Sequence, residues 1–207
     1  VENRNLLISG KHIRLEPLDY CHVDSLVAAS AANPSLYLWS PVPQGKSEAK
    51  AYIETAIAWR DAGSAVPFAV VRLQDETVIG STRFWNIERW LWPQGHLRCG
   101  FALDACEIGY TWFTGSAIRT KANTEAKMLM LTQAFETWRV LRVCLHADAR
   151  NQRSRTAIER IGAKFEGILR AHRMAADFTP RDSARYSIVA AEWPGVRDRL
   201  DQLLNRA

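Results

Sequence analysis

An α+β fold is what the sequence predicts: a mixed, largely antiparallel twisted sheet flanked by helices, with one central parallel β-α-β unit. Three observations lead there. Apolar spacing switches between period two and period 3.6 in the order β-α-α-β-β-β-α-β-α-β-β-α. Strands in the first half are spaced mostly as hairpins, which favours antiparallel pairing. In the middle, one strand runs through a polar loop and a helix into another strand, the arrangement of a right-handed crossover. The 207 residues contain no internal repeat and no Pro-, Gly- or Ser-rich linker. Residues 1–207 therefore read as a single domain large enough to bury a core.

In chain order, residues 12–18 (HIRLEPL) alternate as a strand that Pro17 closes. Asp19 can cap a helix running to about Ala31, which Asn33 and Pro34 end. Residues 35–45 form a Pro- and Trp-containing connection. Ser47 then begins an amphipathic helix to about Ala62, packing through Ala51, Ile53, Ala56, Ile57 and Trp59, and Gly63 stops it. Residues 67–73 and 77–86 form a hairpin around Gln74, Asp75 and Glu76. Residues 87–105 follow, rich in Trp, Gly and Pro and without a period. A connection this long is expected to be functional or an interface, and Trp90 and Trp92 read as packing back on their own domain, as lining an acceptor entrance, or as anchors of a homodimer.

The centre of the chain is 107–127, EIGYTWFTGSAIRTKANTEAK. Residues 107–113 suit a half-buried strand. Thr114, Gly115 and Ser116 break it, and from Asn123 one apolar helix face follows through Met128, Leu129, Leu131, Ala134, Phe135 and Trp138. A loop entering a helix N-terminus offers unpaired N–H groups and the positive end of the helix dipole. With Arg119 and Lys121 inside it, the loop is either a phosphate cradle or an ordinary connection with a solvated basic turn. Residues 139–146 are the second parallel strand. Asn151 caps a helix over 151–161 that Gly162 stops. Residues 165–172 and 184–191 are closing strands around a polar turn at 177–182, and 192–204 is a last helix.

Composition narrows the function. Hydrophobic content of 47% with 24% charged residues is globular. No apolar run approaches membrane-spanning length and the first residues, VENRNLLISGK, lack a signal-peptide core, so a cytoplasmic protein without a membrane partner is expected. Cys21, Cys99, Cys106 and Cys144 have no paired spacing and fit a reduced interior. The five histidines form no cluster, and no metal is expected. A net charge of +5 and a pI near 9.2 fit a polyanionic partner. No basic block points to nucleic acid in particular.

The element order, with EIGYTW, NTEAK, NQRSRTAIERIGAKFEGILRAH and RYSIVAAEW, resembles the GNAT superfamily of acyl-CoA N-acyltransferases over nearly the whole chain. The likeness is greatest to the RimJ/RimL-type branch, which acetylates ribosomal-protein N-termini. The resemblance implies a GNAT-like sheet and an acetyl-CoA-dependent N-acetyltransferase. Its acceptor would be a primary amine, from an N-terminal peptide or a small molecule, attacking directly in a ternary complex. It places CoA against Thr111, Trp112 and Phe113 of the central strand, Arg119, Thr120, Lys121, Ala122, Asn123 and Thr124 of the loop, and Asn151 and Arg155 beyond the second parallel strand. The family's pyrophosphate loop has Gln or Arg first, Gly fourth and Gly or Ala sixth; here these are Ile118, Lys121 and Asn123. Asn123 is expected to take the left-handed backbone a glycine would, and Lys121 to meet phosphate through its ammonium. Glu107 is the implied base, a half-buried carboxylate with its pKa raised by desolvation. Many members have a Tyr seven residues after the Asn151 position to protonate the thiolate; Ile158 stands there, so Ser154 is the implied donor. The oxyanion falls to a backbone N–H in 110–113. The alternatives are a non-catalytic CoA-binding protein and a basic RNA- or ribosome-binding module.

Overall fold

A computed structural model describes residues 5–101, 103–175 and 177–206. Eight strands form one sheet: β1 (Ile8–Ser9), β2 (Ile13–Pro17), β3 (Ala65–Arg72), β4 (Thr77–Glu88), β5 (Ala105–Phe113), β6 (Arg142–Asp148), β7 (Lys164–Met174) and β8 (Pro180–Val189). Their spatial order is β1-β2-β3-β4-β5-β6-β8-β7. Every neighbouring pair is antiparallel except β5 and β6, joined in parallel. The expected α+β architecture with one parallel unit is the one found.

Five α-helices cover the two faces: α1 (Val23–Ala31), α2 (Gly45–Asp61), α3 (Ala122–Thr132), α4 (Gln152–Arg160) and α5 (Trp193–Asn205). Strand alternation sends side chains to two separate cores. On one face Leu26 of α1 and Ala49, Ile53 and Ala56 of α2 pack with Ala69 and Trp112. On the other, Met130 and Leu131 of α3, Ile158 of α4 and Val196 and Leu200 of α5 pack with Phe68, Phe84, Val143 and Leu145.

Several boundaries moved for local reasons. The second parallel strand starts at Arg142 rather than at residue 139, because Arg139 is left-handed (φ 55°) and Val140 N–H still bonds the Ala134 carbonyl. Residues 139–141 are thus the helix exit. Asp19 does cap the next helix, but through a short 3-10 turn at Tyr20–His22, before α1. The closing strands reach further toward the tip of their hairpin, β7 to Met174 and β8 from Pro180.

Strand β1, which the sequence reading missed, is held by a distant carboxylate. Glu125 of α3 is buried and accepts the backbone N–H groups of Lys11, His12 and Ile13 at 2.7, 2.8 and 2.9 Å. These are charge-assisted bonds to donors that would otherwise lack partners. Gly10 is required beside them: a Cβ there would stand 2.7 Å from the Glu125 carboxyl.

Candidate active site

Strands β5 and β6 pair only where residues 105–107 face 142–144. Beyond Glu107 they part, while β6 stays paired with β8 as far as Asp148. A wedge opens along 108–113, and one edge of β5 keeps backbone groups that the neighbouring strand does not satisfy. Inside the wedge β5 is bulged: Ser81 pairs with Trp112 and Arg83 with Gly109, so Tyr110 and Thr111 together oppose Thr82. Tyr110 sits at φ 51°, and such a bulge re-aims the local N–H groups and side chains.

Glu107 lies where the strands separate. The expected half-buried setting is not found: the residue is 2% exposed. Its Oε2 accepts from Arg173 Nη2 at 3.2 Å. Its Oε1 lies 2.9 Å from Nδ1 of His146, out of line for a hydrogen bond, so that contact is electrostatic. The Arg173 guanidinium lies 4.0 Å over the ring of Trp85, which faces Glu107 across the strands. The ring of His172 is 5.1 Å from that of His146. Burial first, then Arg173, pushes the His172 pKa below the ordinary imidazole value. Tyr110, Trp85 and Trp59 of α2 wall this cluster on the α2 side. Beneath them Arg83 is buried with its guanidinium 4.3 Å from Tyr110 and 4.7 Å from Tyr52.

Of these side chains the sequence reading placed only Glu107 in a catalytic role; Trp59 was expected as packing and Tyr110 only for its backbone. His146 shares an alternation phase with Cys144 and Asp148, opposite to the core residues Val143 and Leu145. That was a usable sign that it faces away from the apolar core. Its partner depended on the β5–β6 register, which no local pattern carries.

The loop between β5 and α3 makes a 3-10 turn at Gly115–Ala117. Asn123 does not supply the left-handed residue. Helix α3 begins at Ala122 and contains Asn123, while Arg119 turns the chain at φ 63°. Lys121 occupies the N-cap position with ordinary helical torsions and no side-chain cap. Thr120 Oγ1 accepts from Ala122 N at 3.2 Å. The first-turn amides of Asn123 and Thr124 have no carbonyl behind them to bond, as at any helix start. Lys121 and the exposed Arg119 add positive charge there. A cavity of about 410 Å³ lies elsewhere, lined by Arg160 of α4 and by Gly195, Arg199, Gln202, Leu203 and Arg206 around α5. Its link to the loop is the Arg160 Nη2 bond to Thr124 Oγ1 at 3.1 Å. The wedge, with its titratable groups, is the better candidate for chemistry.

On the other side of the wedge, Asn151 caps α4 by accepting from Ser154 N at 3.0 Å. The Ser154 hydroxyl has no partner among the described residues. Arg155 donates to Tyr186 Oη at 3.1 Å and to the Ala149 carbonyl at 3.3 Å. Trp112 is a core side chain, so only its backbone can face the wedge. The segment 33–39 spans the far end of the opening. Tyr37 Oη donates to the Phe113 carbonyl at 3.2 Å, and the Leu36 carbonyl accepts from Arg153 Nη2 at 2.8 Å.

Lys127 is another residue that the reading passed over. It is buried on α3 and donates to Thr111 Oγ1 at 3.1 Å, and Thr111 in turn bonds Thr82. No carboxylate among the described residues compensates it, and burial pushes its pKa down to about 8. Below about pH 8 folded and unfolded chains both carry the proton, and the full penalty applies. Between about 8 and 10.5 the folded chain releases it first, so this group makes stability rise with pH. Lys127→Met is expected to stabilise the fold at pH 7 by about 1–3 kcal/mol, less the lost hydrogen bond. The gain should fade by pH 10.5 in urea titrations. A variant no more stable at pH 7 would show that the amine carries no burial penalty.

The irregular stretch 89–104 is organised around buried Asp104. Its carboxylate accepts from Trp90 N at 2.8 Å, Trp92 Nε1 at 2.9 Å and Arg98 Nη2 at 3.0 Å. Trp92 also stacks on His96 at 4.4 Å. Both tryptophans are thus tied to their own loop, while Leu91 and Leu97 stand exposed at its surface. Among the described residues no group of three or more His, Cys, Asp or Glu could hold a metal ion, and no helix is long and apolar enough to cross a membrane.

Residues 12–164 match the family model described as an acetyltransferase (GNAT) domain. A GCN5-related N-acetyltransferase from Brucella melitensis superimposes with a TM-score of 0.78 at 27% identity, covering 97% of this chain and 86% of that one. A protein of T. thermophilus named as an acetyltransferase gives 0.76 at 30% identity, covering 96% of each chain. Mycobacterium smegmatis RimJ, solved in complex with CoA-disulfide, shares the fold at 0.73 and 21% identity, over 92% of this chain and 88% of that one. Among curated proteins no match is found.

Proposed function

The chain belongs to the GNAT acetyltransferase domain family, and on that premise we propose that it transfers an acetyl group from acetyl-CoA to a primary amine held at Glu107, by direct attack in a ternary complex. The observation that carries this reading is the parting of β5 and β6 immediately beyond a buried carboxylate, with a bulge in the strand that borders the opening. A strand edge with unsatisfied amides suits an extended, amide-containing arm such as pantetheine. The start of α3, with Arg119 and Lys121, suits its phosphates. Asn151 borders the arm from the α4 side.

Attack needs a neutral amine. The Glu107 carboxylate orients it and takes its proton, with His146 beside it as the next acceptor. The guanidinium groups of Arg173 and Arg181 lower the pKa of an ammonium brought near them, which favours the neutral nucleophile. In this reading a backbone N–H of the bulged segment meets the developing oxyanion, and the Ser154 hydroxyl protonates the thiolate. Acceptors of the RimJ/RimL type, protein N-termini, are one class consistent with the shared fold.

The test is thiol release when acetyl-CoA is mixed with a library of amines. CoA itself should raise the melting temperature, as a ligand specific to the folded chain does. Lys121→Ala should weaken CoA binding by about 1–2 kcal/mol, the scale of a charge-assisted bond. Unchanged affinity would make Lys121 plain surface. A thermal shift with no amine ever acetylated would leave a CoA-binding protein without catalysis. A homodimer built on the exposed Leu91 and Leu97 loop is a further part of this reading, and a monomeric mass in solution at micromolar concentration would remove it.

A further inference from the structure

Around Glu107 positive charge outnumbers negative. Arg173 is paired with that carboxylate. Arg181, its cross-strand neighbour on β8, is half-buried, donates to Ser183 Oγ at 3.2 Å and has no carboxylate partner among the described residues. Asp148, the other nearby acid, is held by Arg150 at 2.8 Å. Arg83 is 1% exposed, its Nε and Nη2 hydrogens meet no acceptor among the described residues, and its guanidinium lies against the rings of Tyr52 and Tyr110. Two guanidinium groups, those of Arg173 and its cross-strand neighbour Arg181, thus accompany one carboxylate already paired with Arg173, and the uncompensated Arg83 lies against the Tyr110 ring beside them. Buried cations are tolerated poorly without compensation, so a surplus of this kind implies an anion that arrives with a ligand. The surplus also acts on its surroundings: Arg173, His146 and Arg181 add to burial in holding His172 away from its charged form.

We propose that the acceptor is a small-molecule amino acid, an amine with a carboxylate a few ångströms from the nucleophilic nitrogen. The amine sits at Glu107 and the carboxylate at Arg181 and Arg173, with Trp85 and Tyr110 as the apolar wall between. Polyamines, which add positive charge to an already positive site, are excluded by the same field. This rests on the acetyl-transfer reading for the position of the amine.

The experiment uses matched ligands: amino acids, their carboxamides and the corresponding decarboxylated amines, with spermidine as the polycation. Each is measured by calorimetry for binding to the protein alone and by kcat/KM with acetyl-CoA. The acids should lead their carboxamides by about tenfold or more in both, the scale of one charge-assisted contact. Arg181→Gln should bring acid and carboxamide together while leaving the CoA-induced thermal shift unchanged, which separates the effect from misfolding. Carboxamides, amines or spermidine served as well as acids, or a preference that survives Arg181→Gln, overturns the proposal and leaves acetyl transfer standing. Arg181-dependent binding of acids without any turnover sinks acetyl transfer but supports the anion site. Absence of both binding and turnover overturns the two together.

Discussion

Glu125→Ala is expected to destabilise the protein by about 3–5 kcal/mol, enough to lower the melting temperature by roughly 6–20 °C in a chain of this size. The reason is the number of donors stranded at once. Three backbone N–H groups, those of Lys11, His12 and Ile13, converge on one buried carboxylate. Deleting it leaves all three without a partner, at a desolvation penalty of about 1–3 kcal/mol for a typical donor that water cannot reach. Glu125→Gln keeps one acceptor oxygen and should recover part of the loss. Gly10→Ala tests the same contact from the other side, since its methyl group would press on the carboxyl. Chemical denaturation of the three variants checks the account. A Glu125→Ala midpoint equivalent to less than about 1 kcal/mol would mean that the N-terminal turn is docked by packing instead.

Glu107→Gln should lower kcat by about 100- to 1,000-fold, within the range of a positioned general base, with a smaller effect on acceptor KM. The amide has nearly the carboxylate's shape but cannot take the proton, and it leaves Arg173 without its counter-charge. Stability will fall as well, so the CoA-induced thermal shift must be measured alongside. The shift should persist, because the loop proposed to hold the phosphates lies beyond the other end of β5. A variant that retains more than about a tenth of the wild-type kcat would remove Glu107 from the proton transfer. His172→Gln offers a milder companion: since the imidazole is held largely neutral at pH 7 by burial and Arg173, its loss should change the acid limb of the pH–rate profile more than the plateau.

Much of the fold was legible because it follows from period and punctuation. Ile13, Leu15 and Pro17 fix a strand, Asn33 and Pro34 end a helix, and Gly162 stops another. The α+β order follows from these. Pairing between distant strands was not legible. That Glu107 meets Arg173, 66 residues later, depends on β7 lying outside β8 and on a bulge between Leu169 and Arg173. Asn123 was assigned the loop's left-handed turn because asparagine tolerates it. The 3-10 turn at Gly115–Ala117 shifted that task to Arg119, and side-chain preference alone could not reveal the shift. Lys127 could have been found. It stands three and four residues before Met130 and Leu131, which places it on the apolar face of α3, yet lysine is so rarely buried that the spacing was not applied to it.

The Glu125 contact also bears on the order in which the chain can acquire its structure. Strands β1 to β5 lie side by side in the order of synthesis, so each can pair as it emerges, with short loops to close. The carboxylate that secures the first turn comes 112–114 residues after the groups it binds. Until α3 has left the ribosome, the earliest part of the chain is the least protected. Nascent chains arrested near residue 120 should therefore be nicked by protease before β2, and those arrested some 50 residues later, with α3 clear of the exit tunnel, should not. Helix α3 and the turn that begins the sheet become ordered in the same event, so the wedge matures only once that turn is pinned.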